Sequence, residues 1–246
     1  MNNLVFKGGT CLAKVYTDFY RLSEDLDFSL PISRQASRTE RSKRMKPVKK
    51  QFHLIDDNLP GVEIESELRG HNESKQYIGV VKYDSIYYEK NQKIKLEISL
   101  REKLLQGDKI REAESLLVNP LTEEKLVNAI EVKSLSYFEV MAEKFRSALT
   151  RQKPAIRDYF DINHAIKNGQ LNPASKKFQK MVEKKISIHG DEQVVATKDI
   201  LRTLKRQLNA ELKPVLRDKD FKQFNLQRAF ELVTDQAQNF TGKKLN

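Results

Sequence analysis

Apolar and polar positions follow two periods along this chain, and the change from one to the other near residue 134 divides it. Residues 4–29 predict a strand, a turn, a helix and a second strand. Leu4, Val5 and Phe6 form a short apolar run that stops at Gly8 and Gly9. Thr10 is expected to cap the helix, with Leu12, Ala13, Val15, Tyr16 and Phe19 at helical spacing behind it. The period then becomes two. Leu22, Leu26 and Phe28 share one face, and Arg21, Ser23, Asp25, Asp27 and Ser29 share the other.

Ser33 opens a helix candidate that Pro47 is expected to break or kink. After the Pro60-Gly61 turn, Val62, Ile64 and Leu68 alternate with Glu63, Glu65 and Glu67, the pattern of a half-buried strand. A further strand is expected over Tyr77 to Tyr88, including Ile86, with a turn at Asn91-Gln92. Lys93 to Arg101 alternates cleanly: Ile94, Leu96, Ile98 and Leu100 against Lys95, Glu97 and Ser99. Leu116 to Leu121 and Ala129 to Val132 predict two short strands. Beyond Ser134 the period is helical. Phe138, Met141, Phe145 and Leu149 make one stripe, and Ile156, Phe160, Asn163, His164 and Ile166 pattern a second helix opened by Pro154. Helices are also expected near 173–187, 197–213 and 221–239. The expected fold class is α+β: an α/β domain with a mixed sheet over residues 1–134, a helical domain over 135–246, and a cleft between them.

Charge narrows the range of partners. Charged residues make up 32% of the 246, and no apolar run is long enough to span a membrane. The N-terminus lacks the apolar core of a signal peptide. Cys11 is the single cysteine, so no disulfide forms within the chain, and a cytoplasmic protein is the simple expectation. A net charge of +11 favours a polyanionic partner. The basic residues crowd one stretch: Arg34, Arg38, Arg41, Lys43, Arg44, Lys46, Lys49 and Lys50, with Glu40 the one acid between Ser33 and Asp56. That run reads either as a solvated helix face or as nucleic-acid contact, with Arg34, Arg38, Arg41, Arg44 and Lys46 as the contact candidates.

The candidate chemistry lies in the first thirty residues. A glycine turn at a helix N-terminus presents free N–H groups and suits phosphate. Asp25 and Asp27 lie roughly 6–7 Å apart along one strand face. Two carboxylates that close repel each other unless a cation sits between them, and divalent ions serve enzymes that displace at phosphorus. A lone D-x-D more often marks a solvated strand face. Following a strand–glycine turn–helix unit, it sets a metal seat beside a phosphate seat. The four histidines show no metal-ligand spacing, and neither a Walker A pattern nor G-x-S-x-G is present.

Lys7-Gly8-Gly9-Thr10, followed by Arg21-x-Ser23-x-Asp25-x-Asp27, resembles the signature of the AbiEii-type nucleotidyltransferases, the toxin family that includes the MenT-type toxins. Their fold is similar to that of DNA polymerase β. Glu143-Lys144 through Ala148-Leu149, and Arg157-Asp158-Tyr159-Phe160-Asp161, resemble the family's later motifs E-K-x-x-A-L and R-D-x-x-D, with Ala148 one place later than the tightest form. Without the first motif, the second half reads as an intrahelical Arg–Asp pair worth a few tenths of a kcal/mol. Relatives carry a helical segment before K-G-G-T. Six residues precede Lys7 here, so the first strand is expected to lack that cover.

The resemblance implies a polymerase-β-like core and transfer of a nucleotide from an NTP with Mg2+ or Mn2+. Asp25, Asp27, Glu97, Lys144 and Asp161 are then the catalytic candidates, with Asp25, Asp27 and Glu97 as metal ligands. Glu63, Glu65 and Glu67 compete with Glu97 for the third place, but a row of three more often marks an exposed strand. Lys7, Gly8, Gly9, Thr10, Ser23, Lys144, Arg157 and Asp158 are the nucleotide-binding candidates. The resemblance also implies an RNA acceptor, tRNA in particular, a cognate antitoxin protein and phage defence, with no membrane partner. Two alternatives stand beside it: an enzyme that modifies protein hydroxyls or transfers phosphate, and a nucleic-acid-binding module without chemistry.

Overall fold

The computed structural model describes residues 3–85, 91–188 and 197–241. The chain forms two compact units, Met1–Ser136 and Tyr137–Asn246.

The first unit is a seven-stranded mixed sheet in the order β3-β4-β5-β2-β1-β7-β6. Strand β1, Val5–Lys7, runs straight into helix α1, Gly8–Cys11, which continues as a π-helical turn, Leu12–Tyr16. The helix stops short of the predicted Phe19. Asp18 and Phe19 take left-handed backbone conformations, and the Phe19 N–H returns to the Ala13 carbonyl at 2.9 Å. Strand β2 covers only Leu26–Ser29. Upstream of it the predicted alternation fails: Leu22 is exposed and Arg21 is buried. The Arg21 guanidinium turns inward over the Tyr20 ring, 5.6 Å from its centroid. Strand β2 pairs antiparallel with β1 and parallel with β5, Gln92–Ser99. Strands β3, Val62–His71, and β4, Gln76–Tyr83, extend that side antiparallel. Ile86 and Tyr88, expected at the end of β4, lie outside the described residues.

Helix α2, Arg38–Phe52, covers one face of the sheet. Its N-cap is Ser37, not Ser33: Ser37 Oγ accepts from the Glu40 N–H at 3.2 Å, and the Glu40 carboxylate accepts from the Ser37 N–H at 2.6 Å. The helix runs through Pro47 unbroken. Pro47 is exposed, so water can take the carbonyl it leaves unpaired. Arg41, Met45, Val48 and Phe52 form the inward stripe. Met45 and Phe52 pack with Leu30, Leu68, Tyr77, Val81, Ile98 and Leu100, and each buried side chain of that size is worth about 1.5–3 kcal/mol. A short helix α3, Ile55–Asn58, follows.

On the other side, β7, Ile130–Leu135, pairs parallel with β1, and β6, Asp108–Ala113, closes the edge. Strand β6 escapes a hydrophobic pattern because four of its six residues are charged. Leu116–Leu121, expected as a strand, belongs instead to an exposed arm with a single bridge, Val118 to Lys125.

The second unit is helical: α4, Tyr137–Thr150; α5, Ile156–Lys167; α6, Lys176–Ile188; α7, Lys198–Gln207; α8, Asp218–Gln223; and α9, Leu226–Thr241. The single helix expected over 221–239 is two helices, because the Asn225 side chain accepts from the Arg228 N–H at 2.9 Å and restarts the chain as α9. Phe145 and Phe178 meet edge to face at 5.4 Å, and Tyr159 donates to the Ala148 carbonyl at 2.8 Å. Lys185 is 1% exposed and pairs with Glu139 at 2.8 Å and Glu143 at 3.1 Å, tying α6 to α4. Among the described residues no helix is long and apolar enough to cross a membrane.

Candidate active site

The glycine turn is shaped by what packs against it. Gly8 has a φ of +77°, and a β-carbon there would lie 2.9 Å from Asp27 Cβ and 3.0 Å from its Cγ. A side chain at Gly9 would overlap the Arg21 guanidinium and come within 3.2 Å of Ser23 Oγ. Both glycines are therefore required by close approach of the Arg21–Asp27 segment. Thr10 corrects the expectation of a cap. It lies inside α1, whose N-cap is Lys7, and its hydroxyl meets Ser23 Oγ at 2.9 Å and donates to the Asp25 carbonyl. Thr10 thus pins the chain that delivers the two aspartates.

Asp27 and Glu97 are register partners across the parallel pair β2/β5, and Lys7 is opposite Asp27 on β1. Residues in register point to the same face, so Asp27 and Glu97 stand side by side, with Asp25 at the entry to β2. Asp25 is exposed; Asp27 and Glu97 are half-buried. Glu63, Glu65 and Glu67 are on β3, at the sheet edge, and are matched elsewhere: Glu63 to Lys82 at 2.7 Å, Glu65 to Lys93, and Glu67 to His53 at 2.6 Å. Lys95 is the neighbour that sequence reasoning passes over. Its Nζ lies 3.5 Å from Glu97 Oε2 and 3.9 Å from Asp25 Oδ2. Period two supplied the signal, since Lys95 and Glu97 are two apart on one strand.

The donor set suits a divalent cation of the magnesium type in its chemistry. Three carboxylates supply hard oxygen ligands, and the Lys95 ammonium already stands as a cation between two of them. Among the described residues no three acidic, histidine or cysteine side chains converge on one point as they stand. Asp25 and Glu97 are spread around the ammonium instead.

In the second unit Lys144 is gripped by both aspartates of the R-D-x-x-D stretch, at 2.7 Å from Asp158 Oδ1 and 2.9 Å from Asp161 Oδ2. All three are largely buried. Arg151 adds a contact to Asp158 at 3.3 Å. Arg157 lies half-buried outside the cluster and makes no ion pair among the described residues. The intrahelical Arg157–Asp161 pair is therefore replaced by an interhelical one, from α4 to α5.

The basic run does not form a wall of this site. Helix α2 packs on the sheet face that carries Phe28, Leu96 and Ile98, and alternation puts Asp27 and Glu97 on the opposite face. Arg34, Arg38, Arg44 and Lys46 are exposed. Arg41 is 5% exposed: its Nε donates to the Glu73 carbonyl at 3.2 Å and its Nη1 to the Ala36 carbonyl. Arg41 is a structural residue and leaves the set of contact candidates. A cavity of about 630 Å³ beside α2, lined by Leu30, Ile32, Lys43, Arg44, Pro47 and Val48, contains no residue of the signature.

A mixed sheet bearing carboxylates on neighbouring central strands, with a glycine turn against one of them, defines a nucleotidyltransferase fold. The family model described as nucleotidyl transferase AbiEii toxin, type IV toxin–antitoxin system, matches residues 1–239, and the chain belongs to that family. Among solved structures it is similar to JHP933 from Helicobacter pylori, with 15% identity and a TM-score of 0.53 over 97% of this chain and 84% of that one. It is also similar to MenT4, a nucleotidyltransferase toxin from Mycobacterium tuberculosis, with 17% identity and a TM-score of 0.53 over 97% of this chain and 85% of that one. Against curated protein sequences nothing matches.

Proposed function

We propose that this AbiEii-family toxin transfers a nucleotide from an NTP to the 3′-terminal hydroxyl of an RNA, tRNA in particular, with a divalent metal held by Asp25, Asp27 and Glu97. The observation that carries the proposal is the register of Asp27 with Glu97 beside the Gly8-Gly9 turn. A bound divalent ion supplies charge neutralisation at the transferring phosphate and at the attacking oxygen. The chain's own residues do the positioning. Gly8 and Gly9 let the Arg21–Asp27 segment close against the α1 N-terminus, where N–H groups lack helical partners and suit a triphosphate. Thr10 and Ser23 fix the Asp25 carbonyl, and so the aim of its carboxylate. The family resemblance assigns Lys144 to the triphosphate. Asp158 and Asp161 hold its ammonium in one place, so little side-chain freedom is left to lose when an anion binds. Lys7 and Arg157 are assigned to nucleotide binding on the same resemblance. A cytoplasmic site of action and a role in phage defence follow from that reading.

The acceptor is proposed from chemistry and charge: an RNA 3′ end offers a hydroxyl and a polyanion to a chain of net charge +11. NTPs labelled at the α-phosphate, offered separately with a tRNA pool and with cell protein, test it. Label is expected at RNA 3′ ends, and Asp25→Asn should lower it by about 10² or more while far-UV circular dichroism stays unchanged. Label on protein would overturn the acceptor; undiminished turnover by Asp25→Asn would overturn the metal site.

A further inference from the structure

Lys95 is the feature of the carboxylate face that the reaction outlined above does not use. It leaves β5 on the same face as Glu97, two residues before it, and its stem is long enough to bring Nζ over the β2 side. There it meets Asp25 Oδ2 at 3.9 Å and Glu97 Oε2 at 3.5 Å, with Asp25 exposed and Lys95 half-buried. Asp25 belongs to the chain entering β2 and Glu97 to β5, so the ammonium bridges two segments whose carboxylates otherwise repel each other across the sheet. Glu63 pairs with Lys82 of the adjacent β4 and Glu65 with Lys93 of β5, each cation serving one carboxylate of the edge strand. Lys95 differs from those pairs, because both its partners are the proposed ligands of a divalent ion.

We propose that Lys95 is a built-in counter-cation that occupies the carboxylate site until nucleotide arrives, which makes metal binding depend on nucleotide. The inference rests on the metal assignment to Asp25, Asp27 and Glu97. A divalent ion that takes those two carboxylates competes with the ammonium for them and repels it across a part-exposed site. Metal alone must therefore displace Lys95 into solvent and forfeit its two ion pairs. When a triphosphate is present, the displaced ammonium gains an anionic partner within reach of its flexible stem. Nucleotide then offsets the loss, and metal and nucleotide each tighten the other's binding through Lys95. Direct chelation of metal by the triphosphate adds to this coupling but does not depend on residue 95.

Mn2+ binding, read by electron paramagnetic resonance with and without an α,β-methylene NTP analogue, tests the proposal without turnover. Without nucleotide, Lys95→Met should bind Mn2+ more tightly than the wild type, by roughly two- to fivefold, the size expected of a part-exposed ion pair. The gain in Mn2+ affinity on adding the analogue should shrink by a similar factor. Lys95→Gln should behave like Lys95→Met, and Lys95→Arg, which restores the charge, like the wild type. Nucleotide-free affinity that is unchanged or weaker in both neutral variants overturns the role of Lys95. Asp25→Asn separates this failure from that of the metal site. If Asp25→Asn loses Mn2+ while the Lys95 variants match the wild type, only the counter-cation fails; if Asp25→Asn binds Mn2+ normally, the metal assignment fails with it.

Discussion

Asp27 lies against Gly8 so closely that a β-carbon on the glycine would stand 2.9 Å from the aspartate's own Cβ. The glycine is there because the carboxylate needs its space, and its φ of +77° adds a second demand. Gly8→Ala should therefore cost more than left-handed strain alone, which is about 1–2 kcal/mol. Gly61 provides the control: its φ is +78° and nothing lies within 4 Å of its β-position. Urea unfolding of Gly8→Ala and Gly61→Ala should show the larger loss at Gly8, and only Gly8→Ala should abolish nucleotide transfer. Equal losses would mean that Asp27 gives way freely.

Arg41 and its exposed neighbours on α2 should separate cleanly. Arg41→Ser removes a buried guanidinium that donates to the Glu73 and Ala36 carbonyls, and unfolding stability should fall by about 1–3 kcal/mol. Joint replacement of Arg38, Arg44 and Lys46 by Ser should leave stability nearly unchanged. It should weaken binding of intact tRNA and reduce the magnitude of its salt slope, by up to roughly 0.9 for each phosphate that is no longer neutralised. A short oligonucleotide that copies only the acceptor end should bind the triple variant as it binds the wild type, because α2 covers the face opposite Asp27 and Glu97. Equal weakening of both ligands would put the acceptor end on α2.

His164 gives the second unit a pH dependence of known sign. Its ring is half-buried on α5 against Phe160, with Nε2 3.0 Å from the Asn168 amide nitrogen. Burial lowers its pKa, and Lys167 and Arg217 act the same way; Asp161 and Asp220 oppose this without reversing it. The unfolded chain, with an ordinary histidine near about 6.5, then takes the proton first. Stability is full above that value and is lost as pH falls through the lower, folded pKa. His164→Gln should flatten the fall in urea midpoint between about pH 7 and pH 5. An identical slope in the variant would assign the loss to other groups.

Much of this architecture is legible in periodicity. Residues 4–29 announce strand, turn, helix and strand, the alternation of 93–100 places Glu97 on a carboxylate face, and the helical stripe of 138–149 marks the second unit. What escapes is decided by tertiary contact. Arg21 breaks the alternation of its segment because Gly9 leaves a berth for its guanidinium. Thr10 reads as a cap, yet serves as a strut to Ser23 and Asp25. Pro47 passes through α2 because its side of the helix faces water. Strand β6 is carried by backbone pairing with β7 and not by an apolar face. The alternation of β2 and β5 also places the carboxylates opposite Phe28 and Ile98, but no local pattern says which of those faces α2 covers.

Strand β2 is the fourth of seven, with three strands on either side. Fraying of a sheet begins at its rims, and amide protons there exchange with solvent first. To reach Asp27 from one rim, an opening must unzip β3, β4 and β5; from the other it must unzip β6, β7 and β1. Asp27 therefore sits where sub-global opening arrives last. Breathing at the edges leaves the spacing of Asp27 and Glu97 untouched until β3 and β4 have already peeled away.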